Sequence, residues 1–326
     1  MRCEDLAYYI GIDLGGTNIA VGIVDGSGLI VAKKSVPTQA TRGEEVVIGD
    51  MAKTAKALVL ESGIGWDEIQ SVGVGTPGSV DPKNGIVHSS CNLHFQNTPL
   101  ADRLRLLLGK PVYVENDANC AALAEATVGA GRGKRHVAML TLGTGVGGGI
   151  VIDGALYGGF NNFGGEFGHM IVEYGGELCP CGQRGCLEAY ASANALKRDA
   201  ERAAKEHPDS LLARIGREKG KFSGKTPFLA AEKGDAVAKE IVERYIRYLA
   251  VGILNVVQIL QPEIVVIGGG VSHEGDGLFV PLRKQVNEMA YSDSVPEEKR
   301  TQISTAALGN DAGIIGAALL GKEKNL

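Results

Sequence analysis

The stretch "IGIDLGGTNIAVGIVDGSGLI", residues 10–30, has the pattern of a strand, a glycine-rich turn, a second strand and an Asp-Gly turn into a third strand. The stretch "MLTLGTGVGGGIVIDGALYGG", residues 139–159, repeats this pattern at an offset of 128, which pairs Leu14 with Leu142. The repeat therefore predicts a protein made of two halves that share one plan.

Each copy of the repeat is followed by an apolar strand that runs into glycine, at residues 71–79 and 263–272. Amphipathic helical segments lie between the strands, and residues 44–62 are an example. The apolar face of that segment consists of Val47, Met51, Ala55, Leu58 and Val59. Alternating strands and helices favour an α/β fold, and two similar halves imply a cleft between them.

The length of 326 residues suggests two domains, at roughly 150 residues each. The final stretch "NDAGIIGAALLGK" is helical in pattern and is expected to pack back on the first half. We therefore predict a discontinuous small domain, residues 1–116 with about 306–326, and a large domain, residues 117–305.

Charge and hydropathy exclude two classes of partner. The net charge is −5 and no basic stripe is present, so no nucleic acid is expected. The longest uncharged helical stretch, residues 248–262, is shorter than the roughly 18 to 20 apolar residues of a membrane span, which predicts a buried helix instead. The N-terminus lacks the pattern of a signal peptide, which predicts a cytoplasmic, reducing location where clustered cysteines more often hold metal than form bridges.

The first glycine turn, within "DLGGTN", has the composition of a phosphate site. Gly15 and Gly16 leave backbone amides open to an anion, and Thr17 and Asn18 add hydrogen-bonding groups. Asp13 ends the preceding apolar strand, where a carboxylate would hold Mg²⁺ and its waters. The alternative is an ordinary hairpin turn with an Asx-type cap.

Two further glycine clusters follow strands. "GTGVGG" at 143–148 matches GxGxxG, but it continues as a strand rather than opening a helix, which argues against a dinucleotide site. A second phosphate contact is expected there, from Gly143, Thr144 and Gly145. "IGGGVS" at 267–272 would let a flat adenosine lie against the backbone, or would simply form a tight strand-to-helix connection. The glycines of that cluster are Gly268, Gly269 and Gly270.

These motifs, together with "CPCGQRGCLE" and "GEFGH", resemble those of the ROK family of sugar kinases over about residues 10–316. "CPCGQRGCLE" matches the family's CxCGxxGCxE at every fixed position, and "GEFGH" corresponds to ExGH. The resemblance implies the two-domain actin-like (ribonuclease H-like) ATPase/hexokinase fold with an interdomain cleft. It also implies ATP and Mg²⁺ as cofactors, a sugar as substrate, and a homodimer or homotetramer.

The cysteine cluster offers the ligands of a structural zinc site. His169, Cys179, Cys181 and Cys186 supply one imidazole and three thiolates, which would close a tetrahedral site and leave no open position for catalysis. The alternative is three unrelated free thiols near a histidine. The scattered Cys3, Cys91 and Cys120 are expected to be buried or half-buried thiols.

The candidate base lies in "PVYVENDANCAALAEATVG", where an apolar strand passes into an Ala-rich helix. Asp117 matches the family's catalytic aspartate, although Asn116 or Asp117 would also serve as a helix N-cap and the two roles are compatible. By resemblance, six residues contact the sugar alongside Asp117. They are Gly78, Asn92, Asn116, Glu166, His169 and Glu188.

The resemblance implies ATP-dependent phosphorylation of glucose at the 6-hydroxyl. The main alternative is an N-acetylglucosamine or N-acetylmannosamine kinase with largely the same residues, and polyphosphate stays open as a donor. Phe95 stands where relatives often carry Trp, a departure that touches the sugar loop but not the chemistry and leaves substrate preference open. Repressors of the family carry a DNA-binding helix-turn-helix before the first phosphate motif, and with nine residues before Ile10 a repressor is not expected. A catalytically inactive sugar sensor is not favoured either, since Asp13, Thr144 and Asp117 are all present.

Overall fold

A computed structural model describes residues 7–290 and 295–323, and these divide into two compact units. The first unit comprises the chain up to residue 135, residues 149–165 and the chain from residue 307 onward. The second unit comprises residues 136–148 and 166–306.

Thirteen strands are assigned within the described residues, and they form three sheets. In chain order they are β1 (Tyr8–Leu14), β2 (Asn18–Asp25), β3 (Ile30–Pro37), β4 (Ile69–Thr76), β5 (Ser79–Asp81), β6 (Ile86–Ser90), β7 (Phe95–Thr98), β8 (Val112–Asn116), β9 (Val137–Leu142), β10 (Val146–Ile152), β11 (Ala155–Leu156), β12 (Ile264–Gly268) and β13 (Gln302–Thr305).

Ten α-helices accompany the strands in the same described part of the chain. They are α1 (Glu44–Ser62), α2 (Leu100–Leu108), α3 (Asp117–Thr127), α4 (Glu188–Ala191), α5 (Ala193–Glu206), α6 (Leu211–Glu218), α7 (Lys225–Glu232), α8 (Ala236–Leu260), α9 (Asp276–Met289) and α10 (Ala312–Glu323).

The two large sheets follow the sequence repeat. One has the strand order β3-β2-β1-β4-β8 and the other β11-β10-β9-β12-β13. In each, a meander of three strands is extended by two strands from farther along the chain, and β4 and β12 each pair in parallel with the first strand of their meander. The predicted halves with one plan are thus confirmed in the strand order. A small antiparallel sheet, β5-β6-β7, carries the segment from Ser79 to Thr98.

In the first unit, the sheet buries its central strands between helices. β1 is buried from Tyr9 to Ile12 and again at Leu14, as expected of a strand with both faces covered, while Tyr8 and Asp13 are half-buried. Helix α1 packs Val47, Met51 and Leu58 against the sheet and begins and ends at the residues that bound the predicted segment. Helix α10 covers β1 and β4 from within the same unit, so the predicted return of the C-terminal segment is confirmed.

Close approach of α10 depends on glycines in the sheet. A Cβ on Gly11 would meet the carbonyl of Ile314, and a Cβ on Gly73 would meet the carbonyl of Ala317. Helix α3 packs on the other side of α10. This packing groups residues 117–135 with the first unit, whereas the sequence interpretation placed them in the large domain; residues 149–165 differ in the same way.

The second unit contains the longest helix of the described chain, α8, of 25 residues. Its C-terminal half includes most of the uncharged stretch at 248–262, and Leu249, Ile253 and Val256 are buried there. Ile259, about one turn after Val256, is 75% exposed, so this part of the helix is not buried along its whole length. Among the described helices, none combines the length and the apolar character needed to cross a membrane.

Candidate active site

The predicted site residues of the first unit lie at one edge of its sheet. β1 and β8 both pair in parallel with β4, so their carboxyl ends meet at the same edge. Asp13 lies opposite Gly75 in the register, and Asn116 lies opposite Thr76. Asp117 follows Asn116 directly as the first residue of α3.

Asn116 is the N-cap of α3, which is one of the roles that the sequence suggested for it. Its Oδ1 accepts hydrogen bonds from the backbone N–H groups of Ala118 (2.9 Å) and Asn119 (3.3 Å). Its Nδ2 donates to the carbonyl of Gly78 at 3.3 Å. These bonds therefore hold Asn116 at the start of α3 and tie it to the backbone of Gly78, a second predicted sugar contact.

Two carboxyl groups of this edge have raised pKa values. Burial raises the pKa of Asp13 to about 6, and the negative charge of Asp117 adds to that rise. Burial also raises the pKa of Asp117, while hydrogen bonds from the backbone N–H groups of Ala118 and Asp117 itself act in the opposite direction. Two neighbouring carboxylates, one of which raises the pKa of the other, are a donor set that fits a hard divalent cation such as Mg²⁺.

The first glycine turn, residues 15–18, lies next to the Asn92 loop. The N–H of Gly15 donates to the carbonyl of Asn18 at 2.9 Å, and Gly16, Thr17 and Asn18 are exposed. A Cβ on Gly16 would lie 3.2 Å from the Cβ of Asn92, so these two predicted contacts are neighbours. The turn is therefore open on one side and adjoins the predicted sugar loop.

Thr38 supports this turn and was missed from the sequence. Its side chain is fully buried, its Oγ1 donates to the carbonyl of Gly15 at 2.6 Å, and its N–H donates to the carbonyl of Thr17 at 2.8 Å. A threonine just after a strand has no local signal that would have revealed the contact.

Gly78 needs to be glycine for two reasons. Its φ of 106° is a conformation that side chains disfavour. A Cβ there would also meet the carbonyl of Ser89 and lie 3.0 Å from the Cα of Ser90. The backbone of Gly78 is thus held close to the small sheet.

In the second unit, the second glycine turn, residues 143–145, joins β9 to β10. The N–H of Gly143 donates to the carbonyl of Gly145 at 3.0 Å, and Thr144 is exposed at the tip. β10 continues as a strand after the turn, which confirms that the GxGxxG match does not open a helix. The turn presents amides and a hydroxyl, which suits an anion.

The predicted adenosine glycines lie beside this turn. Gly268 ends β12, and Gly269 has a φ of 84° with its Cα packed against the backbone of Leu142, where a Cβ would come within 2.6 Å. Gly270 begins a short 3-10 turn that ends at Glu274. The segment is therefore a tight connection from a strand to a helical turn, as the alternative interpretation predicted. Gly269 and Gly270 are exposed next to the second glycine turn.

Glu188 links the second glycine turn to the cysteine loop. It is the first residue of α4, and its Oε2 accepts a hydrogen bond from the N–H of Val146 at 2.9 Å. Its Oε1 lies 3.7 Å from the Sγ of Cys179. Glu166 is exposed, and its carbonyl accepts the N–H of His169 at 3.0 Å.

His169, Cys179, Cys181 and Cys186 form one cluster, as the spacing predicted. Their ligand atoms all lie within 4.8 Å of one another. The Sγ atoms of Cys181 and Cys186 are 3.7 Å apart, and the Sγ of Cys179 is 3.8 Å from the Nδ1 of His169. With Zn–S bonds of about 2.3 Å, a tetrahedral site has ligand separations of about 3.5 to 3.8 Å, so these two separations match, and three thiols with one imidazole are a donor set that suits zinc.

The remaining cysteines are scattered. Cys91 is exposed, contrary to the expected burial, and Cys120 is buried. Cys3 lies outside the described residues. Phe95 is 2% exposed in the core of the first unit, so its ring fills space between the small sheet and its neighbours.

The chain is similar to known proteins over nearly its whole length. A sequence profile of the ROK family matches residues 9–324. The glucokinase of Thermotoga maritima is 43% identical, covering 97% of this chain and 97% of that protein. The N-acetyl-D-glucosamine kinase of Salmonella paratyphi B is 32% identical, covering 97% of this chain and 98% of that protein.

Among solved structures, a ROK family glucokinase from Streptomyces griseus in complex with glucose and AMPPNP is similar over 97% of this chain and 100% of that chain. The TM-score is 0.81 and the sequence identity 35%. The actin-like α/β fold expected from the sequence is confirmed by this similarity and by the family match.

Proposed function

Because the chain belongs to the ROK family, we propose that it is an ATP-dependent hexose kinase that phosphorylates glucose at the 6-hydroxyl. The observation that carries the proposal is the position of Asp117. Asp117 lies at the junction of β8 and α3, directly after Asn116, which caps the helix. Its carboxyl group is close enough to Asp13 to raise the pKa of Asp13. A buried carboxylate with a raised pKa is a suitable general base.

In the proposed reaction, the 6-hydroxyl oxygen forms a bond to the γ-phosphorus while the bond from that phosphorus to the β–γ bridging oxygen breaks. ADP leaves, and the hydroxyl proton passes to a carboxylate oxygen of Asp117. Because the transition state is loose, holding the hydroxyl in line matters more than a strong base. Asp13 would hold Mg²⁺, which supplies positive charge for the phosphate oxygens.

We assign the two glycine turns and the adenosine glycines to the nucleotide. The two turns, residues 15–18 in the first unit and 143–145 in the second, offer amides and hydroxyls to phosphate oxygens, and the exposed residues among them are Gly16, Thr17, Asn18 and Thr144. Gly268, Gly269 and Gly270 offer a bare backbone surface to adenosine.

Sugar contacts are proposed in each unit. Gly78, Asn92, Asn116 and Asp117 belong to the first, and Glu166, His169 and Glu188 belong to the second. The Nδ1 of His169 faces Cys179, so a zinc ion bound there leaves Nε2 to donate to a sugar hydroxyl. Zinc would be structural, since four protein ligands fill its coordination.

A second candidate function is the phosphorylation of N-acetylglucosamine or N-acetylmannosamine. It is favoured by the N-acetyl-D-glucosamine kinase that is 32% identical over nearly the whole chain. The two functions differ in the room needed around the sugar's 2-position.

The proposal is tested by measuring ADP release with glucose, mannose, fructose and the two N-acetyl sugars, each with ATP and with polyphosphate as donor. We expect the highest kcat/KM for glucose with ATP. Turnover of an N-acetyl sugar equal to that of glucose would contradict the glucose assignment. A gel-shift assay that showed tight, sequence-specific DNA binding would instead favour a repressor.

We further propose that the enzyme works in the cytoplasm, where ATP is available and a reducing environment keeps Cys179, Cys181 and Cys186 as metal-binding thiols. The homodimer or homotetramer implied by the resemblance is checked by sedimentation equilibrium.

A further inference from the structure

We infer that Glu115 and Asn119 act as a positioning pair that holds the β8–α3 junction, and with it Asp117, in its reactive conformation. Neither residue was singled out from the sequence. The inference rests on the proposed function, because it assigns Asp117 as the base.

A single carboxylate oxygen of Glu115 accepts hydrogen bonds from both sides of the junction. The Oε1 of Glu115 accepts the backbone N–H of Asn116 at 2.9 Å and the side-chain Nδ2 of Asn119 at 3.0 Å. One of these donors precedes Asp117 in the chain and the other follows it. The residue between them is therefore tied on both sides to the same atom.

Helix formation does not require this pair. Asn116 already caps the first turn of α3 through the N–H groups of Ala118 and Asn119. The bonds of Glu115 add a constraint on the strand-to-helix turn, where the backbone direction that aims Asp117 is set. Asn119 is only 7% exposed, so its amide depends on protein partners for its hydrogen bonds.

Packing surrounds the pair on some sides only. Glu115 and Asn119 line a cavity of about 190 Å³ in the first unit, whose other walls include Val114, Leu156 and Leu320. Where the side chains face this cavity they have no close-packed neighbour, so their hydrogen bonds contribute to their direction. The cavity also has room for a small carboxylate if the side chain of Glu115 is removed.

The test compares Glu115→Ala, Glu115→Gln and Asn119→Ala in glucose phosphorylation. Because a misplacement of about 1 Å can cost roughly 100-fold in rate, we expect kcat to fall about 10- to 100-fold in the two alanine variants, with KM for ATP little changed. Glu115→Gln keeps an oxygen that accepts both N–H groups, so its kcat should stay within about threefold of wild type. Formate, which fits the cavity, should restore part of the kcat lost in Glu115→Ala.

Leu104→Ala is the control, because Leu104 is buried in the core of the same unit and has no polar contact to lose. If this variant loses as much kcat as Glu115→Ala at a similar loss of Tm, the effect is general destabilisation and the inference is wrong. Wild-type kcat in Glu115→Ala would also overturn it. If Glu115→Ala does not fold, Asn119→Ala, which keeps the bond to the Asn116 N–H, gives the same comparison.

Failure of the proposed function has a different signature. A wild-type protein that turns over none of the sugars would overturn the proposed function and this inference together. Wild-type turnover with unaffected alanine variants would overturn only the inference.

Discussion

Asp117 and Asp13 show how position gives ordinary side chains their chemistry. Both are aspartates at strand ends, and Asp25, at the end of β2, is a third. Hydrogen bonds from Ser27, Gly28 and Leu29 keep the pKa of Asp25 below its usual range, whereas burial raises the pKa values of the other two. Burial therefore favours proton uptake at Asp13 and Asp117 but not at Asp25, which suits the roles proposed for the first two.

Replacing Asp117 tests its role as the base. We expect Asp117→Ala to lose about 10²- to 10⁴-fold in kcat, because the hydroxyl proton then has no positioned acceptor. The coupled ADP-release assay measures kcat, and calorimetric titration should still detect glucose binding. Asp117→Asn is the matched control, since it keeps the shape and removes only the basic oxygen. Substantial turnover in both variants would remove Asp117 from this role.

The raised pKa of Asp13 predicts that the stability of the metal-free protein depends on pH. Its folded-state pKa of about 6 lies above its unfolded value, so the folded state binds the extra proton between about pH 4 and pH 6. The free energy of unfolding therefore falls as pH rises through this window. At pH 7.5 the Asp13 carboxylate is ionised, so the free energy of unfolding is lowered by the full cost of burying that charge.

We expect Asp13→Asn to raise Tm at pH 7.5 in EDTA and to leave it nearly unchanged at pH 4, where the wild-type carboxyl is already protonated. Thermal unfolding at the two pH values measures the difference. The same variant should lose kinase activity, because an amide holds Mg²⁺ less well than a carboxylate. A lower Tm than wild type at pH 7.5 would contradict the assignment of the raised pKa.

At the scale of elements, the cysteine loop is a segment with little regular structure of its own. Within it, isolated bridges join Ile171 to Cys186 and Leu178 to Arg184. Its attachment to the helices runs through Tyr190, whose ring stacks on Tyr248 with centroids 4.0 Å apart. A metal would supply the remaining order, since zinc ligation contributes about 10 kcal/mol or more in small domains.

Cys181→Ser tests whether zinc shapes the loop that carries Glu166 and leads into Glu188. We expect the variant to lose zinc and to bind glucose more weakly, because the two carboxylates are no longer held in place. Atomic absorption measures the metal and calorimetric titration measures glucose affinity. Cys91→Ser is the control for metal content, since Cys91 is a free thiol outside the cluster. A zinc-free variant with wild-type affinity would show that the metal does not position these groups.

For the whole molecule, the sequence predicted features that repeat or that depend on spacing. The three-strand meander in each large sheet, the bounds of α1 and the meeting of His169 with the three cysteines all follow from local patterns. Apart from the return of the C-terminal helix, contacts between distant segments were not predictable. Glu125 is fully buried, and its carboxylate accepts the N–H groups of Ala130, Ala307 and Leu308, two of which lie more than 180 residues away in the chain. No periodicity in the sequence encodes such a partner.

The first unit depends on α10, the last helix of the chain, for part of its core. Helix α10 buries Ile314, Ile315, Leu319 and Leu320, each no more than 5% exposed. Burying each such side chain contributes about 1.5 to 3 kcal/mol, an upper estimate. Together they are comparable to the whole stability of a typical domain, about 5 to 15 kcal/mol.

A chain that ends at Ala306 should therefore fail to fold its first unit, although it keeps every strand of that unit's sheet. Without α10, the face of β1 and β4 that carries Gly11 and Gly73 loses its cover, and Tyr9 and Val24 lose their packing against Ile314 and Ala318. Circular dichroism melts and limited proteolysis measure the loss. The control ends at Glu323 and keeps all of α10, so it should unfold like the full chain. If the chain ending at Ala306 melted at the same temperature as this control, the packing of α10 would not be what stabilises the sheet.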